Sequence, residues 1–172
     1  MLGYIHSATR GTTNAILARV ADRADKQGLR VTGLIQARGP QGGAHPCDMD
    51  LRCLPDGPVF AIAQHLGAGS HGCRMDLAAL EQAALAVSAR IEKGADLLII
   101  NKFGAQESQG RGFVTAIVNA LDRGIAVLTV VNPQNIDGFR AFAGNLATEL
   151  PPDHDAILSW VARATDAVSA EH

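Results

Sequence analysis

The stretch GADLLIINKFGAQESQGRGF, Gly94 to Phe113, decides the fold. A glycine closes a helical pattern, an unbroken apolar run follows, and polar side chains crowd in directly behind it. Gly fits the left-handed position at which a helix stops and the chain turns back. The run Asp96 to Ile100 lacks the alternation of a half-solvated strand, so it reads as a strand covered on both faces. Upstream, Asp76 has the short carboxylate of a helix N-cap. Leu77, Leu80, Ala84, Val87 and Ile91 then recur at helical spacing.

The same grammar appears on both sides. Ile16, Leu17, Val20, Ala21 and Ala24 form a helical stripe, Gly28 ends it, and Leu29 to Gln36 reads as a strand. Phe113, Ala116, Ile117, Ala120 and Leu121 form another, Gly124 ends it, and Ile125 to Val131 is a β-branched strand. Leu2 to Ile5 supplies a short first strand, and Asp153 to Ser169 an amphipathic last helix with Trp160 at its edge. Helix, glycine and buried strand in repetition predict an α/β fold: three layers, α/β/α, around a mainly parallel sheet in a single domain, 1–172. Residues 37–75 break the pattern. Pro55-Asp56-Gly57 between two strand-like runs predicts an inserted antiparallel hairpin.

Composition narrows the function. With 47% hydrophobic and 19% charged residues in a chain of 172, a folded core is expected. Fifteen Lys and Arg against seventeen Asp and Glu give a net charge of −2, without the basic footprint of a nucleic-acid or anionic-membrane binder. Aromatics at 4% remove a stacking platform for single strands. Three cysteines cannot all pair, no apolar leader opens the chain, and no apolar run is long enough to span a bilayer. The expectation is a cytoplasmic protein without membrane or nucleic-acid partners. Its alanine-rich helices could pack against a second copy, as a homodimer, as easily as within the monomer.

Ligands of parallel α/β sheets bind at the carboxyl ends of the strands, here the loops 6–13, 36–48, 101–112 and 132–138. Laid on GxxxxGK[ST], the first loop keeps Gly11 and Thr13, with His6 for the first glycine and Thr12 for the lysine. What remains is a helix N-terminus with two hydroxyls, a modest anion site to which Arg10 could lend a cation. A plainly capped helix start is the simpler reading. GAGSHG, Gly67 to Gly72, matches GxGxxG but follows the hairpin, so it reads as a glycine-rich connection. Cys47, Cys53 and Cys73 with His45, His65 and His71 lack zinc-finger spacing. Cys47 and Cys73 flank the hairpin and are the candidate soft-metal or oxyanion pair, with buried structural thiols as the alternative. The densest cluster is Asn101, Lys102, Gln106, Glu107, Gln109 and Arg111, for which the bland reading is a surface Lys102–Glu107 ion pair.

The pieces GLIQ (Gly33–Gln36), Cys47 with MDL (Met49–Leu51), Asp56-Gly57, LGAGSHGCRMD (Leu66–Asp76), the Asp96–Phe113 segment and FAGNLATELP (Phe142–Pro151) occur in an order that resembles one bacterial family. It is the uncharacterised, nucleoside-triphosphatase-like domain family often encoded beside molybdate-transport genes, and the resemblance runs from Val31 to Leu158. It implies a role in molybdenum uptake or homeostasis. A more distant similarity is to thermophile-type nucleoside triphosphatases with a P-loop, which implies a P-loop-type sheet. That family carries an Asp-Glu pair where Asn101 and Lys102 stand; Glu107 lines up with a later glutamate and Phe113 with a phenylalanine. Asn101 brings no charge to hold Mg²⁺, Lys102 repels it, and Thr12 replaces the P-loop lysine.

The expectation is therefore a degenerate nucleotide-, phosphate- or molybdate-binding protein rather than a hydrolase. Arg10, Gly11, Thr12 and Thr13 form one wall, Asn101, Lys102 and Arg111 the other, and Glu107 orients Lys102 or Arg111. The alternatives are an active Mg²⁺-dependent nucleoside triphosphatase in which Glu107, or Asp48 and Asp76, replaces the missing acids, and a metal- or molybdenum-handling site at Cys47 and Cys73.

Overall fold

A computed structural model describes residues 1–7, 12–37, 50–65 and 73–169. Five parallel strands carry its centre: β1 (Leu2–His6), β2 (Val31–Gln36), β7 (Leu97–Phe103), β8 (Ala126–Val131) and β9 (Ala147–Leu150). Between β2 and β7 in the chain come β3 (Leu51–Leu54), β4 (Val59–Phe60), β5 (Ala63–His65) and β6 (Cys73–Met75). The seven-stranded sheet has the order β4-β3-β2-β7-β8-β1-β9, while β5 and β6 form a separate antiparallel pair.

All six side chains of β8 are buried, the consequence of a central strand covered on both faces. One cover is made by α1 (Thr12–Lys26) and α6 (His154–Ser169), which bury Leu17, Val20, Ile157 and Val161 against Ile5, Ile99 and Leu128. The other is made by α2 (Leu77–Glu92), α4 (Val114–Asp122) and α5 (Ile136–Ala143), which bury Val87, Ile117 and Phe139 against Tyr4, Ile100 and Val127. This is the expected α/β fold, with a mainly parallel sheet between two helical layers. Asp76 caps α2 as expected, its carboxylate accepting the Ala79 N–H at 3.0 Å.

The expected antiparallel hairpin is present, while two other expectations need correction. The β3–β4 hairpin turns at Pro55-Asp56-Gly57. It extends the sheet antiparallel from β2, with Leu34 opposite Cys53 and Arg52 opposite Val59. Strand β7 does not end at Ile100; it runs on to Phe103, which pairs with Val131. Trp160 is buried rather than at an edge, its indole pressed on Gly3, where any Cβ would come within 2.8 Å of the ring.

The helix α5 and the strand β9 were not anticipated. Strand β9 is an edge strand with Thr148 and Glu149 exposed, so it carries no continuous apolar run. In β2, Gly33 has φ +119°, and a Cβ there would meet the Ile99 carbonyl oxygen at 1.9 Å. Only glycine allows β2 to lie this close on β7.

Candidate functional site

Strands β1 and β8 are neighbours whose chains leave the sheet to opposite faces, β1 to α1 and β8 to α5. Such a divergence opens a crevice at the carboxyl ends, where ligands of α/β sheets sit. Val131 at the end of β8 is in register with His6 on one side and with Phe103 on the other. The ends of β1 and β7 therefore stand level, about 10 Å apart across one intervening strand.

Between Ile100 and Phe103, β7 spends one residue more than β8. The result is a bulge at Asn101-Lys102, a device that re-aims side chains at a sheet rim. Lys102 is exposed, and among the described residues no ion pair holds it. The Asn101 Oδ1 atom is buried without a hydrogen-bond partner among the described residues. On the β1 side, α1 begins at Thr12, with Thr12 exposed and Thr13 buried. Asn14 in that first turn donates to the side chain of Gln36, tying the start of α1 to the end of β2. Arg10 and Gly11 lie outside the described residues.

The loop after β7 is organised by Glu107 on the short helix α3 (Ala105–Ser108). Glu107 is 6% exposed, and both carboxylate oxygens are engaged. Oε2 accepts the Gly104 N–H at 2.9 Å and Oε1 accepts the Phe113 N–H at 3.1 Å. One side chain thus closes the two ends of the loop on each other, which compensates the burial of its charge. Gly112, at φ +60°, leaves the room: a Cβ there would stand 2.1 Å from Glu107 Oε1.

The bland alternative, a surface pair Lys102–Glu107, does not form, because Glu107 points inward to backbone donors while Lys102 faces solvent. Nor does Glu107 orient Arg111, whose guanidinium donates to the Gln109 side chain. Arg111 is exposed at the loop tip.

A third wall comes from α5, which sequence reasoning missed. Phe139 packs on Tyr4 and Phe103 at centroid distances of 4.7 and 5.1 Å, and Phe142 on Phe103 at 5.3 Å. These rings seat α5 over β1 and β7, and Gly138 lets the Ser108 hydroxyl of α3 approach. Aromatics spaced as Phe139 and Phe142 were the available signal. At the far corner, the Tyr4 hydroxyl donates to Glu149 Oε2 at 2.8 Å, and Glu149 Oε1 lies 4.0 Å from His6 Nδ1.

Of the proposed metal pair, Cys47 lies outside the described residues, and of Cys73 only the backbone, in β6, is described. Cys53 is fully buried in β3 and free, the structural-thiol reading, and burial pushes its thiol up. No group of three or more metal-ligating side chains occurs among the described residues. The glycine loop 67–72 is also outside them. No helix among the described residues is long and apolar enough to cross a membrane.

A cavity of about 410 Å³ opens at the opposite rim, by the amino ends of β2 and β7. Of its cations, Arg30 is paired with Asp96, while Arg90 in the last turn of α2 and Lys93 at its C-cap complement a helix C-terminus.

Comparison with known proteins agrees with this architecture. A family model described as a protein of unknown function (DUF2478) matches residues 2–160, and the chain belongs to that family. A molybdenum import ATP-binding protein, ModC 2, of Bradyrhizobium diazoefficiens is 33% identical over 147 residues. The match takes in 86% of this chain but only 16% of that relative, so the chain spans a small part of the longer protein's length. Among solved structures, the solution structure of a human cancer-related nucleoside triphosphatase superposes with a TM-score of 0.65 at 17% identity, covering 99% of this chain and 98% of that one. The crystal structure of THEP1 from the hyperthermophile Aquifex aeolicus does so with 0.61 at 13% identity, covering 94% and 95%. At these identities the likeness is one of fold.

Proposed function

We propose that this member of the DUF2478 family binds a small anionic ligand, of nucleotide, phosphate or molybdate type, at the carboxyl rim of β1, β8 and β7. The observation that carries the reading is the shared register of His6 and Phe103 on Val131. It supports a shared crevice for the start of α1 and the bulge at Asn101-Lys102. The first-turn N–H groups of α1, with Arg10, Gly11, Thr12 and Thr13, supply one wall, and a helix N-terminus favours negative charge. Lys102 supplies the opposing cation, with Arg111 at the loop tip.

The same residues argue against ordinary phosphoryl transfer. Mg²⁺ in such sites is held by an acid near the end of the strand that carries Asn101, and Asn101 carries no charge. Glu107, the remaining acid, spends both oxygens on the backbone N–H groups of Gly104 and Phe113. In this reading it holds the loop in shape rather than handling protons. The similarity to a molybdenum import ATP-binding protein supports a link to molybdenum metabolism, with molybdate among the ligands to test first.

Isothermal titration with ATP, GTP, phosphate, molybdate and tungstate tests the proposal. Saturable heat with at least one, independent of added Mg²⁺, is expected. Silence with all five overturns it, and Mg²⁺-dependent phosphate release from ATP would replace it with a hydrolase.

A further inference from the structure

Tyr4 and His6 are two residues apart on β1 and so share one side of the strand. Glu149 stands in register with Tyr4 on the neighbouring β9. The three side chains form a line: the Tyr4 hydroxyl donates to Glu149 Oε2 at 2.8 Å, and Glu149 Oε1 lies 4.0 Å from His6 Nδ1. Burial first, and then Glu149, push the Tyr4 phenol up, against an opposing effect of Arg140 on α5. Tyr4 therefore stays protonated and keeps Glu149 in place.

An imidazole that turns Nδ1 toward β9 turns its other nitrogen away from β9. Across β1 from β9 lies β8, and the crevice between β1 and β8 is where the two chains part. The Nε2 atom is buried and has no hydrogen-bond partner among the described residues. Whenever Nε2 carries a proton, that proton lacks an acceptor there, a costly arrangement that an anion in the crevice would relieve.

We propose that His6 is a direct contact of the anion, through Nε2, and that Glu149 and Tyr4 are positioning residues acting through it. The inference rests on the anion-binding reading above and adds to it a proton-dependent contact. The ionisable groups gathered at this corner are Glu149 on β9, Tyr4 on β1 and Arg140 on α5.

Sulfate is the suitable probe, because its charge does not change across the range in which imidazole takes up a proton. Calorimetric titration of the parent with sulfate is expected to show tighter binding at about pH 5.5 than at about pH 8. In His6→Gln the affinity at the lower pH falls by about 10-fold or more, the scale of one charge-assisted hydrogen bond, and the pH dependence disappears. Glu149→Gln weakens sulfate binding in the parent but changes nothing in the His6→Gln background, which a general loss of structure would not reproduce. His6→Gln that binds as the parent does, at both pH values, overturns this inference and leaves the site standing. A parent that binds no sulfate, phosphate, nucleotide or molybdate overturns the site and this inference with it.

Discussion

His6 and Phe103 stand opposite each other across Val131, each in register with it, although 97 positions separate them in the chain. The pairing follows from strand order alone. Because β8 is inserted between β1 and β7 and all three are parallel, the carboxyl ends of β1 and β7 lie on the same rim. Everything proposed about ligand binding depends on that adjacency.

Lys102 carries the clearest prediction. As an exposed cation without an ion-pair partner among the described residues, it loses nothing structural on truncation. Lys102→Ala is expected to keep the parent's thermal unfolding midpoint and to weaken phosphate or molybdate binding by about 10-fold. Asn101→Asp adds a negative charge at the neighbouring position and is expected to weaken metal-free anion binding as well. Titration calorimetry of both variants checks this; unchanged affinity in both would remove the β7 wall from the site.

Glu107 is predicted to act on the loop and not on chemistry. Glu107→Gln leaves one oxygen for two N–H donors and turns an amide N–H₂ toward one of them, at a cost of about 1–3 kcal/mol. Hydrogen exchange at Gly104 and Phe113 should quicken while the central strands stay protected. Gly112→Ala should do the same more severely, since its Cβ would collide with the carboxylate and its φ is positive. Unaltered exchange at those two amides would contradict the bracing role.

The pair Arg30–Asp96 gives a pH signature. Asp96 Oδ1 accepts from Arg30 Nη2 at 2.7 Å, and Oδ2 accepts from the Arg30 backbone N–H at 2.8 Å. The Arg30 guanidinium holds the Asp96 carboxyl below the usual carboxylate range. A depressed carboxyl stabilises the fold above the unfolded aspartate's value and loses that contribution as pH falls through its own. Arg30 is largely exposed, so the gain is small, under about 1 kcal/mol. Urea unfolding should find Asp96→Asn less stable than the parent at about pH 7 and equal to it at about pH 2.

Much of the fold was legible, and for physical reasons. Strands buried on both faces, such as Leu97–Ile100 and Ala126–Val131, must be apolar throughout, and glycines must follow helices that stop abruptly. The edge strand β9 was not legible, because Thr148 and Glu149 face solvent and leave no run to see. The bulge at Asn101-Lys102 was hidden for a different reason: it arises from pairing with β8, which local pattern does not encode. In the site, the crowding of polar residues after Ile100 was visible, whereas their roles were not. Glu107 looked like a surface or catalytic acid because sequence does not show that two backbone N–H groups converge on it. Glu149 and Tyr4 were invisible as partners of His6 because only the parallel pairing of β1 with β9 brings them together.

The most direct measurement is an anomalous difference map from crystals soaked in tungstate. The account predicts a peak in the crevice between the first turn of α1 and the bulge of β7, within hydrogen-bond reach of the α1 backbone N–H groups and Lys102. A peak at the opposite rim, among Arg30, Arg90 and Lys93, with that crevice empty, would contradict it.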